Sequence, residues 1–131
     1  MCSQAVLSAY APKLGMDQQT ALKVSAAFGA GMGRLGEVCG AVTGAFMVIG
    51  LKFGRIDVKD VKAHEDATRL VREFAQQFGL INGSIICRDL LGLDLGTREG
   101  QKAFVDRKLR ETMCAKYVRD AAEIVEQLIF K

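Results

Sequence analysis

The sequence predicts an all-α fold, a compact bundle of about five to six helices. Three observations carry this. There is one proline in 131 residues. Apolar residues return at three- and four-residue spacing over long stretches, most clearly in the second half of the chain. No segment shows the strict alternation of a half-buried strand. Half of the residues are apolar and a quarter charged, which is the composition of a globular chain able to bury a real core. Residues 1–131 therefore read as a single domain.

The elements follow in order. Ser3 to Leu14 reads as a first helix with Ser3 as its cap, and Ala5, Ala9 and Pro12 on one side. Pro12 ends or kinks it and Gly15 closes it. Asp17 caps a second helix from Gln18 to about Phe28, carrying Leu22, Val24, Ala26 and Phe28. A glycine-rich loop from Gly29 to Leu35 leads into the central element, an apolar helix over 36–53 that Gly54 stops. Gly36, Gly40 and Gly44 recur every fourth residue and form one smooth stripe on it. Interior glycines cost ~1 kcal/mol each relative to alanine, so the stripe predicts close approach of another helix or of a bound group. Packing alone is the simpler of the two.

A long fourth helix runs from about residue 58 to Phe78, with Ala63, Ala67, Leu70, Val71, Phe74 and Phe78 on its apolar side and Gly79 at its end. Asn82-Gly83-Ser84 forms a turn and a cap for a short helix over 85–91, with Cys87 in its first turn. Thr97 opens a polar helix through about Glu111. Thr112 caps a last helix with Val118, Ala122, Val125 and Ile129 inward, unless these two run on as one.

Several function classes fall away. A net charge of +3 with both signs interspersed, and no aromatic–arginine cluster, does not suggest nucleic acid. The longest apolar run, Gly40 to Leu51, is shorter than the ~20 residues a membrane-crossing helix needs. No cleavable apolar leader opens the sequence, so a cytoplasmic protein is expected. Gly31-Met32-Gly33-Arg34-Leu35-Gly36 is literally GxGxxG, but a helix precedes it, so no NAD-type dinucleotide site is expected. No triad, phosphate loop or histidine cluster supports a hydrolase or transferase. His64, the sole histidine, lies on a polar helix face.

The cysteines are Cys2, Cys39, Cys87 and Cys114, too far apart for any local CxxC signature. Each falls near an expected helix start, where unsatisfied N–H groups and the helix dipole favour thiolate. If the fold gathers them, they make an electropositive pocket lined by sulfur. Otherwise they are small core hydrophobes.

Cys39-Gly40-Ala41-Val42-Thr43-Gly44 spells CGAxxG, preceded by FGAGMGR from Phe28 to Arg34. Cys2 lies in CSQAVL, Cys87 in CRDLLG, and Cys114 stands before YVRDAAEI. In this ordered set the chain resembles the redox-active four-cysteine family designated C_GCAxxG_C_C over nearly its full length. A related domain occurs in split-Soret cytochromes, where a cysteine-ligated iron–sulfur centre is associated with it. The resemblance implies that Cys2, Cys39, Cys87 and Cys114 are the redox residues. They would act either as ligands of an iron–sulfur cluster or other soft metal, or as thiols exchanging with disulfides. Four sulfurs in one place favour the metal. Gly36, Gly40, Ala41 and Gly44 would then leave room for the bound group. The chain has no CxxCH, so a c-type haem does not carry over.

A redox partner is implied but not specified by any motif. The rival reading is a helical binding or assembly module, in which the apolar third helix and the amphipathic fourth and last helices build a homodimer interface and the cysteines are core residues.

Overall fold

The computed structural model describes residues 1–130, about three-quarters of them in helices. Helix α1 (Cys2–Tyr10) passes into a 3-10 turn, Ala11–Leu14, that ends on left-handed Gly15. Ser3 does not cap it. Met1 holds that position, and Ser3 is buried, its hydroxyl donating to the Ser25 carbonyl at 2.7 Å. The buried side is accordingly Ser3, Val6, Leu7 and Tyr10, while Ala5 and Ala9 stay exposed. Pro12 sits inside the 3-10 turn, which needs no N–H from it.

Helix α2 (Gln18–Ala26) starts as expected on Asp17, whose carboxylate accepts the Thr20 N–H at 3.0 Å. Its buried residues are Ala21 and Ser25, and Val24 is exposed. The expected set Leu22, Val24, Ala26 and Phe28 alternates every second residue, which winds around a helix rather than lining one face.

The glycine-rich connection is a left-handed turn. Every residue from Ala30 to Arg34 has positive φ, between 57° and 68°, and Gly36 follows at 72°. The Met32 and Gly33 N–H groups reach back to the Phe28 and Gly29 carbonyls, closing one turn of opposite hand. Ala30, Met32 and Arg34 each carry a penalty of ~1–2 kcal/mol there. Glycine at 31 is obligatory, since a Cβ would meet the Glu37 nitrogen at 2.6 Å.

Helix α3 (Gly40–Phe53) therefore begins later than the sequence suggests. Gly36 lies outside it, and Cys39 is its N-cap. Only Gly40 and Gly44 remain of the stripe, and α1 crosses directly over them. A Cβ on Gly44 would come 2.9 Å from the Ser3 carbonyl oxygen, and one on Gly40 would come 3.0 Å from the Ser3 nitrogen. The central position of this helix holds: residues Gly40 to Ala45, Val48 and Ile49 are buried, and α3 packs on α1.

Helix α4 (Val61–Asn82) starts on Asp60, which accepts the Ala63 N–H, and packs Leu70, Phe74 and Phe78 onto α3. It runs through Gly79 and ends on left-handed Gly83. One interior glycine costs ~1 kcal/mol, too little to stop a helix whose amphipathic pattern continues. Helix α5 (Cys87–Leu91) is short, and helix α6 (Arg98–Asp106) is capped by Thr97. The chain then breaks at Lys108 (φ 54°) and re-enters helix through a π turn, Arg110–Cys114, continuous with helix α7 (Ala115–Ile129). Thr112 is thus no cap. Its hydroxyl donates to the Lys108 carbonyl inside that turn.

One core joins these elements. Phe46, Phe74, Phe78 and Tyr117 form an aromatic series from α3 across α4 to α7, with successive ring centres 6.0, 6.1 and 6.0 Å apart. Lys52 of α3 donates to the Ile129 carbonyl at 2.9 Å, placing a cation at the C-terminal end of α7. Among the described residues no helix is long and apolar enough to cross a membrane.

Candidate functional site

Four chain segments deliver the four cysteines to one cavity of about 600 Å³. Cys2 is the first residue of α1, Cys39 the N-cap of α3, Cys87 the first residue of α5, and Cys114 the last residue of the π turn. All four are free thiols.

Local backbone pairing explains two of these placements. Residues 37–39 and 85–87 form a single antiparallel bridge centred on Val38 and Ile86. The Cys39 N–H donates to the Ile85 carbonyl at 2.8 Å, and the Cys87 N–H to the Glu37 carbonyl at 2.6 Å. Odd positions on both segments then face one way, so Cys39 and Cys87 project to the same side as diagonal neighbours. Cys2 reaches the site because bare Gly40 and Gly44 let α1 lie against α3. A Cβ on Gly40 would stand 3.2 Å from the Cys2 Cβ. Cys114 arrives by the π turn, a bulged geometry frequent at functional sites.

The thiols differ sharply in acidity. The Cys114 thiol hydrogen-bonds the Cys2 sulfur and favours its thiolate. This outweighs burial, and with smaller contributions from the Met1 amine and, less again, Arg110 it draws Cys2 down to about 7. The same contact holds the proton on Cys114, whose pKa is raised. Burial pushes Cys39 up to about 12, although the Ala41 and Val42 N–H groups donate to its sulfur. Burial, with the charge of Cys2, pushes Cys87 up to about 11. The helix-start argument thus holds for position at Cys2, Cys39 and Cys87, but desolvation wins over it at the two buried thiols. Cys114, at the junction of a continuous helix, is not at a free helix start.

The other residues expected to border a bound group are placed as follows. Gly40 lines the cavity. Ala41 is buried and contributes its N–H to Cys39. Gly44 faces α1, and Gly36 lies against Arg88 of α5. Other residues line the same cavity. Tyr117 lines it and donates its hydroxyl to the Leu90 carbonyl at 3.1 Å. Leu90, Leu91, Leu95, Phe104 and Val118 give it apolar walls, and Arg34, Arg110 and Arg119 are the charged side chains lining it.

Cys39 feels the charges of Cys2 and Cys87, Cys87 that of Cys2, and Cys114 those of the other three. Among the described residues, however, no group of three or more His, Cys, Asp or Glu side chains is arranged to hold a metal ion. A lone tetrahedral ion, with Zn–S bonds of ~2.3 Å, would need all four drawn to one point. Thiolates are the donors that soft, thiophilic groups take, and four thiols line this cavity.

Fold and site together define a helical protein whose distant cysteines meet at one apolar cavity. The family described as "putative redox-active protein (C_GCAxxG_C_C)" matches residues 1–128, and the chain belongs to it. No curated protein and no solved structure matches the chain. The family designation spells Gly-Cys-Ala-x-x-Gly, whereas this chain reads Cys39-Gly40-Ala41-Val42-Thr43-Gly44, with glycine and cysteine in the opposite order. In this fold the order suits packing, because position 40 is pressed against Ser3 and Cys2 while position 39 opens on the cavity.

Proposed function

We propose that this is a single-domain electron-transfer protein whose redox centre is an iron–sulfur cluster held by Cys2, Cys39, Cys87 and Cys114. The observation that carries the reading is the convergence of four free thiols, from four separate segments, on one cavity. Cys2 and Cys114 form one close pair, and Cys39 and Cys87 share one face of the bridge. Thiolates in pairs around a cavity suit a multi-iron group better than one ion. Such a cluster, when bound, supplies one-electron chemistry. The chain's own part is to provide the sulfurs, to aim the Ala41 and Val42 N–H groups at Cys39, and to exclude water with Leu90, Leu91 and Phe104. Four unpaired cysteines also suit a reducing compartment, which supports a cytoplasmic setting.

A second reading rests on the Cys114-to-Cys2 hydrogen bond. Here the Cys2 thiolate attacks a substrate disulfide and expels one thiolate. Cys114 then attacks the Cys2 sulfur and expels the second, its own proton passing to that leaving group. Two protein thiols become one disulfide, and the substrate disulfide becomes two thiols.

Anaerobic purification followed by iron and acid-labile sulfide analysis separates the two. Bound iron and sulfide that disappear with Cys87→Ser support the cluster. Metal-free protein that cycles through a Cys2–Cys114 disulfide overturns it in favour of exchange. A folded variant with all four cysteines replaced by serine, if it retained every cellular activity, would leave only a binding or assembly role.

A further inference from the structure

The cavity is larger and more asymmetric in charge than four sulfurs require. Its charged lining consists of Arg34, Arg110 and Arg119, with no carboxylate and no lysine. None of the three forms an ion pair among the described residues, as is true of most of the chain's basic side chains. The three come from separate elements. Arg34 stands on the strained left-handed turn, Arg110 opens the π turn, and Arg119 lies on α7. Strained backbone that positions a cavity residue points to a use for that residue. A volume of about 600 Å³ lies within the ~300–1,000 Å³ usual for small-molecule pockets.

We propose that the cavity binds a small anionic molecule, a carboxylate or phosphate on an apolar body, with the anion on Arg110 and its two companion arginines and the body against Leu95 and Phe104. Arginine presents a planar fork matched to such oxyanions. The apolar walls supply burial for the remainder of the molecule. The thiols lie in the same cavity, so a molecule bound there would cover them. The binding does not rest on the reading above, although the thiols it covers are those of that site. A concave site favours this occupant over an acidic protein surface, which would meet the arginines without filling the cavity.

The test uses phenyl phosphate as probe, with phenol and inorganic phosphate as the neutral and bare-anion controls, and calorimetry as the readout. Phenyl phosphate is expected to bind saturably, to slow alkylation of the cavity thiols, and to weaken with added salt. Both controls should bind about tenfold more weakly or worse, and Arg110→Gln should lower phenyl phosphate affinity by about tenfold, the loss of one charge-assisted contact. Circular dichroism of the exposed Arg110 variant checks its fold. Equal affinity for phenol, or undiminished binding to Arg110→Gln and Arg119→Gln, overturns the proposal and leaves the arginines as counter-charges to sulfur. A glutamate-rich peptide that displaces the probe without protecting the thiols overturns it in favour of a protein partner. Iron and sulfide content is read on the same samples. Binding without iron would remove the iron–sulfur reading and leave this proposal standing, and iron without binding would overturn this proposal alone.

Discussion

The Cys114 thiol donates to the Cys2 sulfur, and that one contact divides the labour between them: Cys2 gives up its proton near neutrality and Cys114 keeps its own. Alkylation under reducing, metal-free conditions should therefore label Cys2 first, with a rate that rises as pH passes through about 7. Cys39 and Cys87, held at about 12 and 11 by burial, should lag far behind at neutral pH. Cys114→Ala removes the hydrogen bond and should move the Cys2 profile to higher pH. Mass spectrometry of labelled peptides across pH 5–9 checks both; uniform labelling of all four thiols would contradict them.

The same acidities set a stability profile. Cys39 and Cys87 bind their protons more tightly folded than unfolded. Their contribution is fully present below the ordinary thiol range near 9 and is lost as pH rises through about 11 and 12. Cys2 has the opposite sign, its contribution being present above the unfolded value and lost as pH falls through about 7. Thermal denaturation of the metal-free protein should show Tm falling between pH 9 and 11. Cys39→Ala should flatten that fall, and an unchanged slope would show that other groups govern it.

Two glycines in α3 should respond in opposite directions. Gly44→Ala forces a Cβ to within 2.9 Å of the Ser3 carbonyl and should destabilise the protein by ~1–3 kcal/mol, lifting α1 and Cys2 away from the cavity. Gly50→Ala meets nothing within 4 Å on an exposed stretch of the same helix and should stabilise by ~0.5–1 kcal/mol. Urea denaturation measures both. Equal effects would mean that α1 does not press on bare backbone at Gly44.

Phe74 is fully buried between Phe46 and Phe78 and joins α4 to the central helix. Phe74→Ala should cost ~3–5 kcal/mol, against less than ~1.5 kcal/mol for the exposed Ile56→Ala, where burial is not at stake. Denaturant midpoints compared at a common slope give the answer.

On the cluster reading, chelation of iron should bleach the visible absorption while the far-ultraviolet helix signal persists. The core of Leu7, Val42, Val48, Phe74, Phe78 and Val125 is packed without help from the cavity. Loss of helix together with iron would instead make the centre a folding element.

Much of this architecture was readable because it follows from periodicity and capping. Asp17, Pro12 and Thr97 sit at or near the ends they suggest, and Leu70, Phe74 and Phe78 face inward at three- and four-residue spacing. Some boundaries were not readable because local cost yields to packing. Gly79 is overridden by the continuing amphipathic face of α4, and Gly36 belongs to a left-handed path that also runs through Ala30, Met32 and Arg34, against their own preference. The four cysteines were visible as a set, but not their acidities, which depend on burial and on which sulfur touches which. Nor did spacing single out Arg110, Arg119 or Tyr117, whose approach to the cysteines depends on how α7 docks.

Cys2 and Cys114 stand far apart in the sequence yet are joined by one hydrogen bond. During synthesis, at ~5–20 residues per second, the first sulfur emerges seconds before its mate exists. No growing chain that stops short of Cys114 can present all four sulfurs, so any chemistry that needs the full set waits for that residue, with three thiols already made.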